Sequence, residues 1–408
     1  MRWIVPIVIL IAIEVYAFQA FKTLFKFWWS LGVYVGITLV VLGLLIYSFY
    51  ESSPNTSLTG FRAYMAGVFL SLLLLKLSVV VWMFGEDTVR LLVYAYRKLF
   101  TTSTENLPSR RKFISTIALG LGAIPFLSLL YGMYKGKYNY KVLSYELEFD
   151  NLPKAFDGYT ITQVSDIHSG SFDNTEKIKY AINLVNEQES DVILFTGDLV
   201  NNLADEMTPW TPLFSQLKAK DGVFSILGNH DYGDYYNFES QTDKQQNFED
   251  LVNVHSDLGW DLLRNERREL VRGDSKLHLI GVENWGKGGF KKAGDFEKAA
   301  DGIEASDFKI LMSHDPSHWD EVIQHHKKDV QLTLSGHTHG MQFGIEIPGW
   351  FKWSPVQYRY EQWAGLYVNA KRFINVNRGF GFLAYPGRVG IWPEVTVIKL
   401  KRKATTEV

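Results

Sequence analysis

The chain has 408 residues, enough for more than one structural unit, and its apolar share of 47% is, as an average, ordinary for a soluble protein. The average conceals a division: residues 1–133 carry 11 Lys/Arg against 5 Asp/Glu, whereas residues 134–408 carry 31 against 39. So acidic a second part argues against a nucleic-acid groove, which needs excess Lys and Arg to displace counterions, and the lack of cysteine excludes disulfides and thiolate metal ligands.

Four apolar runs near the N-terminus are long enough for membrane helices, which need about 20 residues each. They are expected over about 3–21, 27–50, 63–84 and 113–134, giving a transmembrane domain over 1–134. Phe27 to Tyr50 and Phe113 to Tyr134 hold no charge, Trp3 to Phe21 holds only Glu14, and Ala63 to Phe84 holds only Lys76. Isolated ionisable groups in hydrocarbon are costly and face a bundle interior or a partner, so Glu14 and Lys76 are expected to pair with each other or with a ligand of the bundle. Between the third and fourth spans lie Arg90, Arg97, Lys98, Arg110, Arg111 and Lys112, which mark that loop as cytoplasmic. Everything after the fourth span then lies outside the cytoplasm, as expected of a multi-pass inner-membrane protein with an extracytoplasmic domain. Lys135, Lys137 and Lys141 weigh the other way but are fewer. The run Asp87 to Phe100 alternates charged and apolar groups at helical spacing and fits an interfacial helix. Ser109-Arg110-Arg111-Lys112-Phe113-Ile114 resembles a twin-arginine export signal, set here internally; its alternative is the plain basic flank of a span.

From Lys141 the pattern changes to short strands separated by helices and turns, defining a second domain over 141–408. Val142 to Phe149 reads as an early strand, and five further apolar runs each end in ligand-type residues. Tyr159 to Val164 leads to Asp166 and His168, Val192 to Phe195 to Asp198, and Val223 to Leu227 to Asn229-His230-Asp231. Ile310 to Met312 leads to His314, and Leu332 to Leu334 to His337 and His339. Thr175 to Glu187 and Phe248 to Leu258 read as intervening helices. In open sheets a site lies beyond the strand ends, so five such ends can meet. Asp, Asn and His offer oxygen and neutral imidazole donors, suited to Mn, Fe or Zn, and a pair of such ions can clamp a phosphoryl group and generate a hydroxide nucleophile at neutral pH. Gly197, Gly228 and Gly336 are expected to let the backbone turn sharply where strand becomes loop.

The order Asp-x-His, Gly-Asp, Gly-Asn-His-Asp, lone His and Gly-His-x-His resembles the calcineurin-like metallophosphoesterases. The intervals are 32, 31, 85 and 23 residues between Asp166, Asp198, Asn229, His314 and His337. Ser313-His314-Asp315-Pro316, Ala364-Gly365-Leu366-Tyr367 and Asn377-Arg378-Gly379 look like the bacterial exported branch. The resemblance implies an α/β fold, a four-layer α-β-β-α sandwich after the four-helix transmembrane domain. It also implies two divalent metal ions: Asp166, His168 and His339 would hold one, Asn229, His314 and His337 the other, and Asp198 would bridge them. His230 would act on the phosphate or the leaving oxygen, with Asp231 orienting its ring. Surface or packing roles are expected for His255, His278, His318, His325 and His326, whereas Glu283 and Asn284 suit a turn or the rim of the site equally.

The expected activity is hydrolysis of phosphoester or pyrophosphate bonds at a membrane surface, with a lipid-linked substrate. The membrane tether and the cluster Gly349-Trp350-Phe351-Lys352-Trp353 favour that substrate, because Trp with Lys suits the headgroup level. The alternatives are a phosphatase or phosphodiesterase acting on soluble nucleotides or proteins, or a metal-binding sensor without catalysis. A degenerate sensor would be expected to lack ligands, and no motif residue is missing.

Overall fold

Long uninterrupted apolar sequence, which buries no backbone polar group once helical, makes the first part of the chain four helices. The computed structural model describes residues 4–50, 58–100 and 111–403. Two compact units divide between Tyr134 and Lys135. The first holds α1 (Ile4–Leu24), α2 (Ser30–Tyr50), α3 (Gly60–Phe100) and α4 (Arg111–Tyr134), each long and apolar enough to cross a membrane. Ser109 and Arg110 of the basic run lie outside the described residues, as does Trp3.

Large apolar side chains such as Ile7, Val8, Leu39, Val40 and Phe84 point outward, and small residues point in. Ala17, Ala20, Ala63 and Ala118 are buried, and a Cβ on Gly122 would stand 3.0 Å from the Leu75 carbonyl oxygen. This is how membrane helices approach closely when water supplies no drive for association. The third span and the expected interfacial helix are one element: α3 runs unbroken for 41 residues. No proline interrupts it, and the Glu86–Arg90 pair, at 3.4 Å, supports the helix just past Gly85.

Glu14 and Lys76 pair with each other. Lys76 Nζ lies 2.7 and 2.8 Å from the two Glu14 oxygens and donates to Thr38 Oγ1 at 2.9 Å, while the Tyr34 hydroxyl donates to Glu14 at 2.9 Å. One polar cluster therefore joins α1, α2 and α3.

The second unit begins with β1 (Lys141–Phe149), β2 (Thr160–Val164), α5 (Thr175–Asn186), β3 (Val192–Phe195), β4 (Val223–Ser225) and β5 (Asp261–Leu262). It continues with β6 (Glu266–Arg272), β7 (Ser275–Gly281), β8 (Lys309–Met312), β9 (Leu332–Ser335) and the small hairpin β10 (Ile345–Ile347) and β11 (Phe351–Trp353). It closes with β12 (Gly365–Asn369), β13 (Arg372–Val376) and β14 (Glu394–Arg402). One six-stranded sheet runs β1-β14-β2-β3-β4-β5 and the other β12-β13-β9-β8-β7-β6. In the first, β14 pairs β1 in parallel over nine residues and β2 antiparallel, and β2 to β5 are parallel. In the second, β13, β9, β8 and β7 are parallel.

Alternation along the strands feeds three apolar layers. Leu147, Ile161, Leu194 and Ile226 of the first sheet meet Leu279, Ile310, Met312 and Leu334 of the second. The outer face of the first sheet takes Ile178, Ala181, Ile182 and Val185 of α5, a 3–4 spacing. The outer face of the second takes Phe296, Ala299, Trp319 and Ile323. The result is helix, sheet, sheet, helix. Asn174 caps α5 by accepting from Lys177 N. The helix expected from Phe248 begins earlier, at Gln241, because Ser240 caps a first turn too polar to show apolar periodicity. Toward the strand C-termini the sheet interface turns polar: Gln163 Nε2 donates to Ser335 O and Asn375 Nδ2 to Gln163 Oε1, both at 2.8 Å.

The intramembrane ion pair makes a prediction. Lys76→Leu alone leaves a charged Glu14 without a partner, a cost of about 3–5 kcal/mol by the precedent of broken buried pairs, whereas Glu14→Leu with Lys76→Leu removes both charges. In detergent-solubilised protein the single variant should melt lower than the double one. Equal melting would show that the pair does not hold the bundle.

Candidate metal centre

The C-terminal ends of β2, β3, β4, β8 and β9 lead directly into the loops that carry all the candidate ligands. Those loops are tightly constrained. Asp166, His168, Asp198, His337 and His339 all have left-handed backbones, with φ of 52°, 49°, 60°, 71° and 50°. Such conformations cost L-residues roughly 1–3 kcal/mol each and gather where function demands them. Gly197 does supply a positive φ, of 96°. Gly228 and Gly336 serve a different purpose from the sharp turn expected of them. A Cβ there would lie 2.2 Å from Asp198 Oδ1 and 2.0 Å from Ser165 Oγ, so they are places of close approach.

The ligand atoms of Asp166, His168 and His339 lie within 4.8 Å of one another, as do those of Asp198, His314 and His337. Asn229 joins the second group, its Oδ1 2.7 Å from His337 Nδ1. Asp198 Oδ2 lies 3.6 Å from His168 Nε2 and 3.1 Å from His314 Nε2, so one carboxylate oxygen faces both groups.

The donor chemistry fits cations. His168 Nδ1 faces Asn201 Oδ1 at 3.1 Å and His314 Nδ1 faces the Thr196 carbonyl at 2.7 Å; both oxygens only accept, so each Nδ1 carries the proton and each Nε2 presents a lone pair. His168 Nε2 in turn faces His339 Nε2 at 3.0 Å, and the buried His314 Nε2 has no hydrogen-bond partner. His337 Nε2 lies 2.8 Å from the Tyr360 hydroxyl and 3.4 Å from Asp315 Oδ2, and its Nδ1 lies 2.7 Å from Asn229 Oδ1. Buried carboxylates and imidazoles gathered this closely form a donor set suited to divalent cations. Burial opposes ionisation of Asp166, yet His339 and then His314 hold it down to about 2. Burial likewise opposes a charged His314, and Asp198 outweighs it, raising the ring to about 10, so the Asp198 carboxylate favours a positive charge at His314 Nε2, carried by a proton or a cation.

The expected contact between Asp231 and the His230 ring is not made. Asp231 Oδ2 accepts the amides of Asp198 (2.9 Å) and Gly228 (2.8 Å), and Oδ1 those of Leu199 (2.8 Å) and Val200 (3.3 Å). Both oxygens are thus committed to backbone. Burial and then the Asp198 charge push Asp231 up to about 7. The group that orients His230 is the Asn201 carbonyl, 2.8 Å from Nδ1, which leaves Nε2 as the ring's outward nitrogen. Its ring stands edge-on to His168, with centroids 4.9 Å apart.

The other histidines pack elsewhere. His255 bonds Ser225 Oγ at 2.9 Å, His318 bonds Ser313 Oγ at 2.8 Å, His278 lies 3.3 Å from Asp307 and His326 lies 2.9 Å from Glu297; none of these, nor His325, joins either group. Glu283 pairs with Arg264 and Asn284 Nδ2 donates to the Lys291 carbonyl, both turn roles. Four residues of the centre escaped the sequence reading: Asn201, Asp315, Tyr360 and the buried Arg388. Arg388 ties the Gly381 carbonyl and lies 3.2 Å from His339 Nδ1. Only Asp315 had a signal, its place directly after His314.

Comparison with known proteins agrees along the chain. Residues 1–137 match a family model described as "Probable Calcineurin-like phosphoesterase, transmembrane domain", and residues 159–341 match "Calcineurin-like phosphoesterase". An uncharacterized metallophosphoesterase of Bacillus subtilis is 30% identical over 299 residues, covering 72% of this chain and 98% of that protein. A "transmembrane protein with metallophosphoesterase domain" of Danio rerio is 28% identical, covering 67% of this chain and 60% of that protein. Its counterpart in Bos taurus is 27% identical, covering 72% and 65%. The chain thus spans somewhat under two thirds of the two vertebrate relatives.

Because Asp231 accepts four backbone amides and the His230 ring meets one carbonyl, their variants should separate. Asp231→Asn turns an amide group toward buried N–H donors, a cost of about 1–3 kcal/mol for each one left unsatisfied. Melting temperature and bound metal, measured by calorimetry and elemental analysis, should both fall. His230→Ala should lower turnover and leave metal content as it was. Matching losses in the two variants would contradict the separation.

Proposed function

Because the chain belongs to the calcineurin-like metallophosphoesterases, metal-dependent phosphoester hydrolases carried here on a four-helix membrane domain, we propose that the seven clustered residues hold two divalent cations and that the enzyme hydrolyses lipid-linked phosphoesters or pyrophosphates at the membrane surface. Asp166, His168 and His339 would hold one cation and Asn229, His314 and His337 the other, with Asp198, whose Oδ2 faces both groups, contributing to each. Bound at those positions, Mn, Fe or Zn neutralises phosphate charge and activates water. The chain's own contribution is position. Asn201 fixes the tautomer of His168 through its side chain and of His230 through its carbonyl. His230 Nε2 is then the group that meets a phosphate oxygen or protonates the leaving one.

The observation that supports a lipid-linked substrate is an exposed apolar surface beside this centre. Met341 follows His339 by two residues, and the β10–β11 hairpin comes next. Ile345, Ile347 and Phe351 are exposed there, and Trp350 and Tyr358 are each 80% exposed. Aromatic and aliphatic groups left in water beside a catalytic centre, on a chain with four membrane helices, suit an acyl chain or a bilayer face. Lys352 is not part of that surface as the sequence suggested. It is folded back, 3.0 Å from the Tyr367 hydroxyl and 4.2 Å from that ring's centroid, and Trp353 is half-buried.

We also place the catalytic unit outside the cytoplasm of an inner-membrane protein. The basic loop before α4 supports that orientation, and one counterweight is removed, since Lys137 is buried and paired with Asp173 at 2.6 Å.

Two measurements test the proposal. Asp198→Asn should abolish Mn-dependent hydrolysis of bis(p-nitrophenyl) phosphate by the full chain and lower its metal content; retained turnover would refute the bridging role. Replacing Trp350 and Phe351 together with Ala should slow hydrolysis of phospholipid or isoprenoid diphosphate in nanodiscs by tenfold or more, well beyond any loss on the soluble diester. Parallel losses on both would favour a soluble nucleotide or protein substrate.

A further inference from the structure

The segment after β11 carries an arginine that the chemistry above leaves unused. The unit's eight other arginines each hydrogen-bond a carboxylate or a carbonyl: Arg264, Arg267, Arg268, Arg272, Arg372, Arg378, Arg388 and Arg402. The exposed Arg359 guanidinium makes no hydrogen bond or ion pair with a described residue. It is held instead by two rings, with Cζ 5.1 Å from the Phe290 centroid and 5.5 Å from that of Tyr360. Both rings also touch the metal centre. Phe290 stands edge-on to His337 with centroids 4.9 Å apart, and the Tyr360 hydroxyl lies 2.8 Å from His337 Nε2.

A cavity of about 640 Å³ opens at this place, lined by Arg359, Tyr358, Tyr360, Lys287 and Ser317. Its other cation is already matched, since Lys287 pairs with Glu321 and also feels Asp320 and Glu361. Arg359 therefore presents the cavity's unpaired positive charge, one aromatic ring away from His337, a candidate metal ligand. Stacking fixes the plane of the guanidinium while leaving its N–H groups open, the arrangement that grips two phosphate oxygens at once. No internal ion pair has to break first.

We propose that Arg359 binds a second phosphoryl group next to the one held at the metal centre, so that the preferred substrate is a diphosphate ester rather than a simple phosphomonoester or diester. The inference rests on the proposed reading of His337 as a ligand of the cation pair that holds the phosphoryl group. It narrows the substrate class within that reading.

Isothermal titration of the full chain in detergent micelles, loaded with Mn²⁺, tests it with methylenediphosphonate and orthophosphate as probes. Wild-type protein should prefer the diphosphonate by tenfold or more. Arg359→Ala should cut that preference at least tenfold, and Arg359→Lys should restore only part of it, because a point charge lacks the two-pronged grip. Equal weakening of both ligands, or no change, would overturn the proposal while leaving the metal-centre reading intact. Wild-type protein that binds neither probe would overturn both.

Discussion

Two loops at the ends of β3 and β4 grip each other through their own aspartates, and the centre is built on that grip. Asp231, from the second loop, accepts the amides of Asp198, Leu199 and Val200 of the first, and Asp198 Oδ1 accepts the amide of His230 in return at 2.8 Å. With Oδ1 occupied, Oδ2 is the oxygen left to face His168 and His314. The same device spans the two sheets: Asp166, beyond β2, accepts the amide of His337, beyond β9, at 2.9 and 3.1 Å. Carboxylates that accept backbone amides thus set the spacing of the loops before any cation enters, and they stabilise the left-handed residues that no local preference would choose.

What could be read from the chain follows from where the information resides. Candidate ligands are carried by residue type and motif, so Asp166, His168, Asp198, Asn229, His314, His337 and His339 could be proposed from the chain, and the fold brings them together. Their orientation resides in backbone geometry reached through contacts far apart in sequence, so the role given to Asp231 was misread. The family resemblance implied a side-chain contact with His230, whereas a left-handed Asp198 turns a row of amides toward the carboxylate instead. Asp315, Tyr360 and Arg388 support ligands on other strands and have no spacing signature of their own. The same contrast holds for α3. A hydropathy boundary at Gly85 marks where hydrocarbon ends, but helix continues wherever nothing breaks it and i,i+4 pairs support it.

The membrane unit uses polar groups sparingly. Glu14, Lys76, Tyr34 and Thr38 satisfy one another inside the bundle, and the alternative registers of α1, α2 and α3 would leave at least one charge facing lipid. The pair therefore selects one arrangement of three apolar helices that oil-like packing alone would leave nearly degenerate.

At 1.5 Å per residue, a helix of 41 residues such as α3 is about 60 Å long, roughly twice the thickness of the hydrocarbon it crosses. The part beyond Phe84 is a rod of about 24 Å with no joint along it. A stiff rod of that length makes membrane tilt a mechanical quantity: turning the span by about ten degrees, within the range over which membrane helices adjust to bilayer thickness, swings the far tip by about 4 Å. A helix with no joint thus ties the tilt of its apolar span to the position of its far end at Phe100.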